Sequence, residues 1–143
     1  MPVSDREKEL IRITFARIEP MADFVAKTFY RRLFDTAPDI RFLFDPYTMD
    51  TQRRKFMQTL EVAVDAVNDL EEILPRLHAL GKRHISYGVR EEHYGIVGSA
   101  LIWTLRRTLV EAFPPHVESA WTKLYVTLAE AAMTAYEFEA ELP

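Results

Sequence analysis

Apolar residues recur at three- and four-residue intervals along almost the whole chain, the period of helices that each bury one face. Leu10, Ile11, Thr14, Phe15 and Ile18 form the first stripe, and Ser4 with Glu7 ahead of it has the spacing of a capping box. Pro20 marks a boundary. The second helix carries Met21, Phe24, Val25, Phe29 and Leu33 inward, with Tyr30 and Phe34 one turn apart on an adjoining face. Pro38 and Pro46 bracket a short helical turn, DIRFLFD, that leads into a loop. Asp50 or Thr51 is the predicted cap of a third helix, which turns Phe56, Leu60, Val64 and Val67 to the core. Pro75 suits the first turn of a fourth, ended by Gly88, with Leu77, Leu80, Gly81 and His84 on one side. A long helix is predicted from Glu91 to Ala112, carrying Tyr94, Val97, Leu101, Ile102 and Leu105. Pro114 and Pro115 open the last, with Val117, Trp121, Leu124, Leu128 and Ala135.

No segment shows the strict alternation of a strand, so the predicted fold class is all-α. The 143 residues fit one domain with a real core, and no repeat, linker or low-complexity tract divides them. Net charge is −4, and the basic residues lie among acidic ones, which argues against a nucleic-acid partner. There are no cysteines, so disulfides, thiolate catalysis and cysteine-held metals are excluded. The N-terminus has no apolar signal segment. The longest uncharged apolar stretch, Tyr94 to Leu105, falls short of the ~20 residues of a membrane span. A soluble, cytoplasmic protein is expected.

Little chemistry is open to such a chain. It has no glycine-rich phosphate loop, no HExxH, no paired Glu-x-x-His helices and no nucleophile elbow. What remains is four histidines against nine Phe, six Tyr and two Trp. His84 lies on the apolar side of its helix, one turn after Leu80. Periodicity alone favours a buried histidine satisfied by a carbonyl. The alternative is an axial ligand, since a neutral imidazole on an apolar face suits ferrous haem iron. His78, His93 and His116 fall near helix starts or connections and are expected at the surface.

Four blocks, in order KTFYRRLFDTAPDIRFLF, QRRKFMQTL, LGKRHISYGVREEHYGIVG and AWTKLYVTLAEAAM, resemble the single-domain bacterial haemoglobins and the haem domains of flavohaemoglobins. The likeness runs from about Glu7 to Tyr136. It implies a globin fold, a three-on-three helical sandwich with helices crossing at ~50° around haem b. Residue by residue, it places His84 as the proximal ligand to iron and Phe44 against the haem edge. Tyr30 and Gln52 fall on the distal, ligand-binding pair, and Phe56 over the open coordination position. Leu80 and Tyr94 match positions packed on His84 or the haem. Without the resemblance, Tyr30 reads as a core tyrosine, Gln52 as a solvated helix-start residue, and Phe44 and Phe56 as ordinary core.

The implied function is reversible, high-affinity binding of dioxygen, with nitric oxide or carbon monoxide as further gas ligands. Tyr30 and Gln52 are neutral donors at physiological pH. A hydrogen bond from each, at about 1–1.5 kcal/mol, would together slow gas release by about a hundredfold. Phe56, bulkier than the aliphatic residue common there, is expected to narrow access. Flavohaemoglobins use a similar pocket as a nitric oxide dioxygenase. That reading requires a separate reductase here, and a gas sensor requires a partner for its output. A haem-free structural module is the remaining alternative. The family often places a glutamate of the last helix near the proximal histidine, where it raises imidazolate character. The matching position is Tyr136, and Glu137 points ~100° away on a helix, which puts peroxidase-like tuning in doubt.

Overall fold

The computed structural model describes residues 3–140, with side chains to residue 136. Six α-helices carry the fold: α1 (Asp5–Ile18), α2 (Ala22–Thr36), α3 (Met49–Asp65), α4 (Leu74–Ser86), α5 (Glu91–Leu109) and α6 (Pro115–Ala140). Short 3₁₀ turns join them at Glu19–Met21, Pro38–Leu43, Pro46–Thr48, Leu70–Ile73 and Val110–Ala112. There is no strand among the described residues. Helices α1, α3 and α4 face α2, α5 and α6 in two layers, with α6 against α1 and α4, and α2 against α3 and α5. This is the all-α, three-on-three arrangement expected from the sequence.

Local chemistry sets the helix ends. Ser4 accepts from the Glu7 amide and Glu7 accepts from the Ser4 amide, the capping box that satisfies two otherwise orphaned donors of α1. All five residues of the first stripe are buried. Pro75 sits in the first turn of α4, where its missing N–H costs nothing. Gly88 ends the following turn at φ +90°, a conformation that glycine adopts freely.

Elsewhere the structure departs from the predicted pattern. Helix α3 starts at Met49, ahead of the predicted Asp50 or Thr51 cap. Its lead-in turn is held by Asp45, whose carboxylate accepts from the Tyr47 amide. Met21 and Phe24 are 42% and 52% exposed rather than inward, because α2 buries Val25, Ala26, Phe29, Tyr30 and Leu33 instead. The predicted end of α5 at Ala112 moves back to Leu109, where Val110 takes a positive φ and the chain tightens into a 3₁₀ turn. His93 is buried, not at the surface: its Nδ1 accepts from the Arg90 amide and closes the first turn of α5.

Two contacts fix the helices that carry the site. The indole of Trp121, fully buried on α6, donates from Nε1 to Thr14 Oγ1 at 2.8 Å, and Thr14 donates on to Leu10 O at 2.7 Å. This joins α1 to α6 with every polar atom satisfied. Gly81 on α4 meets the α6 backbone so closely that a Cβ there would lie 2.0 Å from Ala132 O. That approach sets the position of α4, and His84 follows one turn further along.

Candidate functional site

Chemistry-bearing side chains gather in two clusters, one from α2 and α3 and the other from α4, α5 and α6. In the first, Tyr30 is 5% exposed and sits among aromatic rings. Ring centroids of Phe29, Phe44, Phe56 and Phe34 lie 4.9, 5.6, 5.7 and 5.8 Å from its own, and Phe56 stacks on Phe29 at 4.1 Å. Such edge and stacked pairs hold the rings in place beyond what burial alone supplies. The polar contact is between helices: Gln52 Nε2, at the start of α3, donates to Tyr30 Oη at 3.1 Å. Burial pushes the phenol up to about 12, against smaller opposing effects of the Gln52 bond and the Arg53 charge. Tyr30 is therefore a neutral hydroxyl whose oxygen is already occupied and whose proton is available as a donor. Phe44 and Phe56 are half-buried at the edge of this cluster.

In the second cluster, His84 is half-buried near the end of α4, and its Nδ1 lies 2.9 Å from Tyr94 Oη on α5. Burial, with the neighbouring Arg83 charge, holds the imidazole below its ordinary range and so keeps it neutral. Tyr94 is in turn held from α6. Tyr125 Oη donates to the Tyr94 carbonyl at 2.6 Å, and the Tyr136 ring stands edge-on to that of Tyr94 at 5.9 Å. Tyr136 Oη donates to Val89 O at 2.7 Å, tying α6 to the turn between α4 and α5. Burial raises all three of these phenols, most strongly Tyr94, and keeps them protonated. Leu80 is half-buried on the same side of α4. Leu43, beside Phe44, reaches to within 3.6 Å of where a Gly88 side chain would begin, so the two clusters approach along this edge.

The expected residues thus fall into two sets: Tyr30, Gln52, Phe44 and Phe56 together, and His84 with Tyr94 together. Sequence reasoning missed Tyr125 and the partner of Tyr136. The one available signal was Gly98, in mid-helix, where a Cβ would lie 2.6 Å from the Tyr125 ring; the glycine leaves room for that ring. The Glu137 side chain lies outside the described residues. Of the other histidines, His116 is exposed, and His78 is half-buried with Nδ1 3.2 Å from Thr134 Oγ1. Among the described residues no three His, Asp or Glu side chains converge on a metal site, and no helix is long and apolar enough to cross a membrane.

The arrangement has relatives. The flavohemoprotein of Chromobacterium violaceum is 30% identical over 132 residues, which cover 90% of this chain and 32% of that protein. The chain spans about a third of the length of the curated relatives it matches. A bacterial globin from Campylobacter jejuni superimposes with a TM-score of 0.86 at 18% identity, covering 97% of this chain and all of the other. An engineered carbene transferase from Rhodothermus marinus, made from a proposed nitric oxide dioxygenase, gives 0.85 at 20% identity and 96% coverage of both. The globin family model matches residues 27–132. A match that runs over most of the chain, through Tyr30, Gln52, His84 and Tyr94, makes this protein a member of the globin family.

Proposed function

We propose that this chain, acting as one domain, binds haem b through His84 and takes dioxygen reversibly on the side of Tyr30 and Gln52. The donor set suits that group. The His84 ring is neutral, its Nδ1 is engaged by Tyr94, and Nε2 is left as the ligating nitrogen. When bound, haem supplies a ferrous iron with a sixth position for a diatomic gas. Phe44 and Phe56, half-buried at the edge of the first cluster, offer apolar surface to the macrocycle.

One observation carries the reading: the buried Tyr30 hydroxyl accepts from Gln52 and keeps its proton free, so it donates to a gas that gathers negative charge. Gln52 orients and polarises that hydroxyl, and the surrounding phenyl rings keep water from competing for it.

Absorption spectra of the ferric, dithionite-reduced and oxygenated protein, beside His84→Ala, test this. A Soret band that moves on reduction and again on oxygenation, and weakens or changes type in the variant, is the expected result. A protein that stays colourless after haem is added would sink the proposal.

A second reading, nitric oxide dioxygenase served by a separate reductase, draws support from the flavohemoprotein relatives, of which this chain spans about a third, and from the Rhodothermus marinus protein. Repeated nitrate formation with a supplied reductase favours it. A single turnover favours the binding protein.

A further inference from the structure

We propose that the groove between the outer faces of α2 and α5 binds a small carboxylate, held by the guanidinium of Arg32 where it lies over Trp103. Neither side chain belongs to the two clusters of the proposed haem site.

The groove has a volume of about 240 Å³ and is lined by Arg32 and Thr36 from α2 and by Ile96, Ser99 and Ala100 from α5. Sites for drug-sized ligands measure ~300–1,000 Å³, so only a small molecule fits here. Ala100, buried, and Ile96, half-buried, give the groove an apolar floor.

Its cationic side is held in place. The Arg32 guanidinium carbon stands 4.6 Å from the centre of the half-buried Trp103 ring. That of Arg107, one turn along α5 from Trp103, stands 5.4 Å from the same centre. A guanidinium laid on an indole keeps its N–H groups at its edge, free for a planar anion. Like charges gathered on one ring repel, yet among the described residues neither arginine is ion-paired, whereas Arg6, Arg53, Arg90 and Arg106 each find a carboxylate. Asp35 follows Arg32 at the spacing that joins Arg6 to Glu9, but Arg32 turns to the ring instead.

The hydroxyls sort in the same way. Thr36 donates to Arg32 O at 2.9 Å, and Thr104 and Thr108 of α5 each donate to a carbonyl one turn back. Ser99, on the same helix as the last two, makes no such bond and keeps its proton to give. A carboxylate seated in the groove would match its two oxygens to the fork of Arg32 and accept from Ser99. A short apolar tail would rest on Ile96 and Ala100, and the charge shared by Arg32 and Arg107 would be offset.

The two tryptophans report on the site and on the fold separately. Trp103 carries the Arg32 guanidinium, while Trp121 is fully buried and bonded to Thr14. In ¹⁵N–¹H spectra of the protein reduced under carbon monoxide, sodium propionate is titrated against sodium chloride at equal ionic strength. The Trp103 indole N–H should shift along a saturating curve and that of Trp121 should stay in place, which also checks the folding of each variant. Arg32→Gln should weaken binding by about tenfold or more. Ser99→Leu, which fills the groove without altering a charge, should do the same. A shift that grows linearly with propionate, or that chloride equals, overturns the proposal. Saturation that survives Arg32→Gln also overturns it. So does saturation that survives Ser99→Leu, since the anion would then sit on the exposed guanidinium and not in the groove. Saturation by a short polyglutamate peptide but not by propionate would assign the groove to an acidic protein partner, and the small-molecule site would be refuted.

Discussion

Replacing Tyr30 with Phe removes one hydroxyl and little else. The ring keeps its neighbours at 4.9–5.8 Å, and the residue is 5% exposed, so no cavity opens and no packing contact is lost. Gln52 loses its acceptor but is half-buried and can turn to water, so the cost in stability should stay below about 1 kcal/mol. What the variant loses is a shielded donor to the bound gas, about 1–1.5 kcal/mol, or about tenfold faster release. The sequence alone suggested two independent donors and a hundredfold effect. The structure couples them, because Gln52 commits one of its two amide N–H donors to Tyr30 Oη. Gln52→Leu should therefore act mainly through Tyr30, and its effect should shrink in the Tyr30→Phe background. Stopped-flow displacement of dioxygen by carbon monoxide measures all four proteins of the cycle. Release that is unchanged in Tyr30→Phe, with the Soret band intact, would refute the role of the hydroxyl. Full additivity in the double variant would refute the coupling.

Other expectations concern the frame. Thr14→Val keeps shape but strands the buried Trp121 N–H, at about 1–3 kcal/mol, so Tm should fall by several degrees in a thermal melt. Gly81→Ala puts a Cβ 2.0 Å from Ala132 O and must part α4 from α6; lower stability together with weaker haem retention is the expected pair, and a stable variant with normal haem affinity would show that this approach does not position His84. Alkaline unfolding should follow the buried phenols. Tyr30 is raised to about 12, so its burial favours the protonated folded state; that stability is complete below pH about 10 and is lost as pH rises through about 12, while Tyr125, raised further, holds its proton beyond it. A circular-dichroism titration that is flat across this window would contradict the burial of Tyr30.

How much of this was legible in the sequence depended on range. The α1 stripe was readable because capping box, period and core face all lie within fifteen residues, and every residue of it is buried. The inward face of α2 was misread by one position. Ala26 occupies the core, and so small a side chain leaves no mark in a pattern read from large apolar residues, so Met21 and Phe24 were credited with burial they do not have. The start of α3 was misplaced because the Asp45 bond to Tyr47 builds a separate turn before it. His93 carried no sign of burial, since its role as a cap depends on one backbone amide. Within the site, Tyr30, Gln52, Phe44 and His84 were named from a family pattern, and nothing in their spacing predicted which would touch. The bonds Tyr125–Tyr94 and Tyr136–Val89 span 31 and 47 residues, and only the fold brings them about.

The two clusters draw on different elements, and that separates two functions that one pocket usually confounds. Tyr30 and Gln52 depend on the contact of α2 with α3, whereas His84, Tyr94, Tyr125 and Tyr136 depend on α4, α5 and α6. No residue belongs to both hydrogen-bond networks. A change in the first should alter how long a gas is held, and a change in the second how strongly the imidazole donates. Perturbations without shared partners add. Tyr30→Phe should therefore speed release by the same factor in Tyr94→Phe as in the native protein, while the midpoint potential moves only with residue 94. If the release factor differed between the two backgrounds by more than about twofold, roughly the 0.3–0.5 kcal/mol scatter of independent sites, the clusters would communicate. The edge where Leu43 approaches Gly88 would then be the first contact to alter.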